Sequence, residues 1–241
     1  MKAALNLVTD RQTLLGCEGV STVEAVEAVE AVEAVEAVFD LAIAPGDCIV
    51  FAGVESAIVH QLGDIFLGLR APMRGRICFG GVDWQSMDPR EAERQRRQIG
   101  RVLAAPGRAA WLQNLDVEEN VHLARRFEPG VSFASVRERS LQLCQLFGLE
   151  SLPSTRPAAT SPDLLMPAQW VRAFLPDPLR LLVLECPEWG VKKAFAARLR
   201  EQVREARSAG TAVIWIDLGP AAGLDETLRY DAIPPALGHR L

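Results

Sequence analysis

One short apolar run, Leu181-Leu182-Val183-Leu184, leads into Glu185 and Cys186, with Glu188 two residues further on. Carboxylates at the end of a buried strand stand where α/β sheets place their chemistry, and a pair of them suits general acid–base work. The same pair equally fits a remnant of machinery that has been lost. Cys186 reads either as a nucleophile following a strand or as a packed thiol, and no His or other base stands beside it in sequence. His60, His122 and His239 do not cluster, so their spacing gives no metal site. The five cysteines (17, 48, 78, 144 and 186) are scattered and form no Cys-x-x-Cys pair. That pattern argues for a reduced, cytoplasmic setting and against a disulfide framework or zinc site.

The elements that must carry these residues read as an α/β chain. Phe39, Leu41 and Ile43 alternate with Asp40 and Ala42 as a half-buried strand before the Pro45-Gly46-Asp47 turn. Residues 48–52 form a short apolar strand that ends at Gly53, and Leu62, Ile65, Phe66 and Leu69 then define one face of a helix. Ile77-Cys78-Phe79 before Gly80-Gly81 reads as another strand and turn, and residues 89–98 as an exposed helix. Residues 117–148 are helical in pattern, with Val136, Leu141, Leu143, Cys144, Leu146 and Phe147 as packing residues. Residues 151–162 hold three prolines and read as a loop. Residues 181–184 and 212–216 are continuous apolar runs of the kind buried on both faces of a parallel sheet, with a helix over about 192–208 between them. Strand and helix alternate as in a helix-covered, mostly parallel sheet.

The chain of 241 residues is 49% hydrophobic and 24% charged, enough to bury one substantial core. Its net charge of −5 argues against binding nucleic acid or anionic membrane by bulk electrostatics. No apolar run reaches a membrane span, and the N-terminus lacks a signal-peptide core. Residues 23–37 repeat Val-Glu-Ala five times, and those five glutamates account for the whole net charge. A three-residue period makes a steady apolar stripe on neither helix nor strand, so this insert reads as solvated.

Strand, Gly53, loop and helix follow one another as they do around a phosphate-binding loop. At this point the chain resembles the nucleotide-binding subunit of an ATP-binding cassette (ABC) transporter, from about Phe39 to Leu218. IAPGDCIVFAGVES is similar to the approach to that family's phosphate loop, and LGLRAPMRGRICFGGVDW to the stretch after the loop helix. RRQIGRVLAAPGRAAWLQNLDVEENV resembles the Q-loop region and the apolar segment that receives the permease. FLPDPLRLLVLECP resembles the approach to the Walker B strand, and GTAVIWIDLG the strand bearing the switch histidine. The style is nearest to importer-like and Mce-linked lipid-transport cassettes. The resemblance implies one α/β domain over residues 1–241, with a mostly parallel sheet, an antiparallel N-terminal lobe and a helical lobe at about 104–172.

Against that family's pattern the chemistry is eroded. A phosphate loop needs glycines for backbone N–H groups to curl around phosphate, a Lys for the β/γ oxygens and a Ser/Thr for Mg²⁺. Laid on that pattern from Gly53, the residues read GVESAIVH: Ser56 and Ile58 take two glycine positions, Val59 the lysine and His60 the hydroxyl, with Gln61 following. A β-branched Ile58 obstructs a left-handed backbone, and Glu55 adds negative charge beside the phosphates. Ala104 falls at the Q-loop glutamine, Glu185 at the Walker B aspartate, Cys186 at the general base and Leu218 at the switch histidine. Leu165-Met166-Pro167-Ala168-Gln169 replaces the signature, where Pro167 removes a backbone donor near a helix N-terminus. Trp111, Leu112 and Leu115 fit either an apolar docking surface or core packing.

The resemblance therefore implies a degenerate cassette subunit without ATP hydrolysis, expected to need no cofactor. It would be a structural or regulatory partner of a permease and a second cassette subunit, cytoplasmic, and at the membrane only through the permease. The alternative is an ATP binder or slow ATPase that holds ATP and Mg²⁺ through unusual ligands such as His60 and Glu185.

Overall fold

The computed structural model describes residues 13–21, 38–104, 110–219 and 231–232, so the Val-Glu-Ala tract, residues 105–109 and His239 lie outside the described residues. An antiparallel sheet is built from β1 (Leu15–Ser21), β2 (Val38–Ile43), β4 (Arg74–Phe79) and β5 (Val82–Asp83), in the order β2-β1-β4-β5. In it Ser21 pairs with Val38, the described residues on either side of 22–37. A second, parallel sheet has the order β6-β7-β8-β3-β9, from β3 (Cys48–Phe51), β6 (Ile99–Val102), β7 (Leu181–Glu185), β8 (Ala212–Ile216) and β9 (Asp231–Ala232).

Side chains alternate across a strand, so a sheet with apolar residues in every position must be covered on both faces. The core divides accordingly. Ile49, Phe51, Leu181, Val183, Ile214 and Ile216 pack on one face with α1 (Ser56–Phe66) and the antiparallel sheet. Val50, Leu182, Leu184, Val213 and Trp215 pack on the other with the helical elements α5 (Pro162–Phe174) and α6 (Lys193–Ser208). Around α5 gather α3 (Val117–Arg126) and α4 (Phe133–Phe147), while α2 (Pro89–Arg96) lies exposed before β6. Side-chain caps start α2, α3 and α4. Asp116 accepts from the Glu119 amide at 2.7 Å while Glu119 accepts from the Asp116 amide at 3.1 Å, a reciprocal pair at the head of α3.

Two helical expectations need correction. The helix after Gly53 ends at Phe66, before Gly68, so Leu69 leaves its apolar face and is 55% exposed. The helical stretch 117–148 is two helices, because Pro129-Gly130 interrupts it between α3 and α4. Within α4, Val136, Leu143, Cys144 and Phe147 share one buried face, and the 3.6-residue period turns Leu141 and Leu146 away from it to the surface. The three-proline segment carries one 3-10 turn, Pro157–Ala159.

Gly100 sets how closely α5 lies on β6. A Cβ there would collide with the backbone carbonyl of Ala173, which is not free to yield. Gly100→Ala is expected to cost about 3 kcal/mol, read as a lower urea midpoint at unchanged slope.

Candidate functional site

The residues aligned with a phosphate loop do not form one. α1 begins at Ser56, so Ala57, Ile58 and Val59 are helical, and Ile58 meets no left-handed demand at all. Ile58 and Val59 turn inward and are buried, while Glu55, Ser56 and Ala57 are exposed. Four of the backbone donors in this segment are engaged within the chain. The Gly53 amide donates to the Gly219 carbonyl at 2.8 Å and the Val54 amide to Asp217 at 3.0 Å. Those of Ile58 and Val59 both donate to the Glu55 carbonyl, at 2.9 and 3.2 Å. Gln61 turns its Nε2 back to the Ala57 carbonyl, 3.3 Å away.

A cluster of charge has formed beside this segment. Glu185, at the end of β7, has no exposed surface. Its Oε2 meets His60 Nδ1 at 2.6 Å and accepts from the Ala104 amide at 3.3 Å. Its Oε1 accepts from Arg101 Nε at 2.7 Å. The same guanidinium donates through Nη1 to Asp64 Oδ1 at 2.7 Å and through Nη2 to the His60 carbonyl at 3.3 Å. Local geometry explains the convergence. His60 and Asp64 are four residues apart on one side of α1. β6 and β7 are in parallel register with Arg101 beside Val183, which puts Arg101 and Glu185 on the same face of the sheet. Gly63 completes the seam, since a Cβ there would run into Glu185 Oε1 and the Arg101 guanidinium.

Arg101 and Asp64 were missed in the sequence. The available signal was a single cation in the otherwise apolar Ile99–Val102 strand, in phase with the carboxylate at the end of 181–185. The other aligned positions are dispersed. Glu188 forms a two-pronged ion pair with Arg200, at 2.6 Å on both oxygens, so Glu185 and Glu188 serve different cations rather than one acid–base pair. Cys186 is buried, and burial together with the nearby Asp217 carboxylate pushes its thiol up to about 11, which keeps it protonated and poorly nucleophilic at neutral pH. Leu218 packs against the α1-side core and Ala104 is buried.

The signature-like residues are not a cap before a helix. Leu165, Met166, Pro167, Ala168 and Gln169 lie within α5, and all but Leu165 are buried. Gln169 Oε1 accepts from the Leu103 amide at 3.1 Å, tying the chain after β6 to α5. Trp111 is buried beneath the Arg172 guanidinium, 4.9 Å from its ring, whereas Leu112 is exposed and Leu115 half-buried. His122 is a core residue: Nε2 meets Ser140 Oγ at 2.6 Å, and burial lowers its pKa. Among the described residues no group of three potential ligands could hold a metal, and no helix is long and apolar enough to cross a membrane.

No protein-family model matches the chain. Among solved structures it superposes on a dimeric bacterial ABC transporter cassette with a TM-score of 0.72, at 17% identity and 89% coverage of both chains. It also superposes on an ATP-binding subunit of an ABC transporter with a TM-score of 0.66, at 23% identity over 87% of this chain and 81% of that one. The fold is the ATP-binding cassette. In sequence the cassette is 29% identical over 203 residues to an uncharacterized ABC transporter ATP-binding protein of Sinorhizobium fredii, covering 80% of this chain and 39% of that protein. It is 27% identical over 168 residues to a sulfate/thiosulfate import ATP-binding protein of Brucella melitensis, covering 68% of this chain and 44% of the relative. The chain thus spans about two fifths of the length of these relatives.

Removing one member of a buried ion pair strands the other. Arg101→Met is expected to cost about 3–5 kcal/mol in urea unfolding, whereas Arg101→Met combined with Glu185→Leu should recover most of that loss. His122 has its own pH signature. Its folded pKa lies below the unfolded one, so the stability it contributes is present above about pH 6.5 and is lost as pH falls below that value. His122→Gln should flatten that acid limb of a stability–pH curve.

Proposed function

We propose that this cassette is a pseudo-ATPase subunit: one domain over residues 1–241 that keeps the packing of an ABC transporter cassette but not its catalysis. It would act as a structural or regulatory partner of a membrane permease and of a second, competent cassette subunit. Its place would be the cytoplasmic face of the membrane, reached only through the permease and without a nucleic-acid partner. In this reading the helical lobe at about 104–172 and the exposed Leu112 serve docking, and the Val-Glu-Ala insert at 23–37 plays no part in nucleotide binding.

The observation that carries the reading is the state of Glu185. A carboxylate available for a metal ion would keep a lone pair facing an open site, but this one is buried and engaged by Arg101, His60 and the Ala104 amide. The chain's own guanidinium supplies the positive charge there. Without the lysine, a β/γ-phosphate contact worth roughly 1.5–3 kcal/mol is lost as well.

A second reading is favoured by the relatives, which are named as ATP-binding proteins. In it the chain still binds ATP and Mg²⁺ through His60 and Glu185, or hydrolyses ATP slowly. Calorimetric titration of the purified chain with Mg-ATP separates the two. No heat and no thermal shift are expected; saturable binding, or hydrolysis that disappears in Glu185→Gln, would overturn the pseudo-ATPase reading.

A further inference from the structure

In the pair formed by Glu185 and His60, one ring nitrogen is held and the other is left over. Glu185 has no exposed surface, and its Oε2 meets His60 Nδ1 at 2.6 Å. Arg101 on Oε1 and the Ala104 amide on Oε2 fix that carboxylate in turn. A carboxylate beside one nitrogen of a neutral imidazole sets its tautomer: the proton sits on Nδ1 and the lone pair on Nε2.

Nε2 lies across the ring from Glu185. It has no hydrogen-bond partner among the described residues, and it is not one of the buried polar atoms that lack a partner, so it reaches solvent. The His60 side chain is 18% exposed. Side chains on a helix lean back over the preceding turn, which for His60 is the exposed stretch Glu55, Ser56 and Ala57 at the start of α1.

An imidazole held in this way serves either as a general base or as a nucleophile. As a base, Nε2 would take a proton from a reacting group beside it, but no hydroxyl or thiol among the described residues bonds it. Nε2 is then itself the reacting atom, and Glu185 offsets the positive charge that builds on the ring as Nε2 bonds to an electrophile. An acyl electrophile would need donors aimed at a new oxyanion. A phosphoryl group carries its charge before and after transfer, and asks chiefly for a placed nucleophile and compensated charge.

We infer that His60 is a phosphoryl acceptor, taking the group on Nε2 from a small phosphoramidate. The Nε2 lone pair forms the new N–P bond while the donor's own P–N bond breaks, and the electron pair of that bond leaves with ammonia. The ring proton stays on Nδ1, bonded to Glu185. The donor is small because the amides of Gly53, Val54, Ile58 and Val59 are engaged within the chain and offer a triphosphate no cradle. Neither the donor nor the step involves ATP, so the inference goes beyond the pseudo-ATPase reading and does not rest on it.

The test incubates the purified full chain with potassium phosphoramidate, without nucleotide, and follows it by intact mass, peptide mapping and phosphorus-31 spectra. One phosphoryl group is expected on His60 as the Nε2 isomer, at a rate roughly tenfold or more above that of the same residue in the chain unfolded in urea. His60→Gln should remove that product. Glu185→Gln should slow its formation roughly tenfold or more, and the comparison with the unfolded chain decides the matter if that variant does not fold. No phosphoryl group on His60, attachment at Nδ1, equal rates in the folded and unfolded chain, or an unchanged rate in folded Glu185→Gln would each overturn the inference. Calorimetry with Mg-ATP tests the pseudo-ATPase reading separately, and its result does not bear on this one.

Discussion

The ion pair between Glu185 and Arg101 is the constraint on which the rest of the centre depends. A carboxylate with no exposed surface is tolerable only with a cation and hydrogen-bond donors close at hand. The surrounding structure meets that requirement at each oxygen. His60 and the Ala104 amide take one oxygen and Arg101 takes the other. Asp64 then holds the far side of the guanidinium, and Gly63 leaves room for both groups against α1. Three segments far apart in sequence are thereby fixed at one point: the first helix, β6 with the chain that follows it, and the end of β7.

The same fixing explains the shape of the neighbouring loop. Starting α1 at Ser56 brings His60 and Asp64 into phase with Glu185, and it consumes the amides of Ile58 and Val59 in the first helical turn. The amides of Gly53 and Val54 are consumed by carbonyls that follow β8. On the other face of the sheet Gln169 plays a comparable part, bridging the Leu103 amide and Arg172 from inside α5. Residues aligned with a nucleotide site thus work as internal connectors.

Much of the fold was legible in the sequence where its physics is local. Leu181–Leu184 and Ala212–Ile216 announced strands buried on both faces because every residue in them is apolar, and the alternation around Phe39 announced a strand with two unlike sides. The missed features depended on contacts between distant residues. Arg101 stands out as a cation in an apolar strand, but the pairing with Glu185, 84 residues away, appears only when β6 and β7 are set side by side. The early start of α1 was hidden because the residues after Gly53 read as a loop, and Leu141 and Leu146 are exposed because they lie off the face of α4 that Val136, Leu143, Cys144 and Phe147 share. Gln169 looked like part of a nucleotide motif because its sequence position, and not its burial, was visible.

One consequence lies in the antiparallel sheet. Ser21 and Val38, which flank residues 22–37 in sequence, are partners on the same rung. Every pairing of β1 with β2 and β4 is made by residues outside 22–37, so a different number of Val-Glu-Ala triplets would change none of the paired residues.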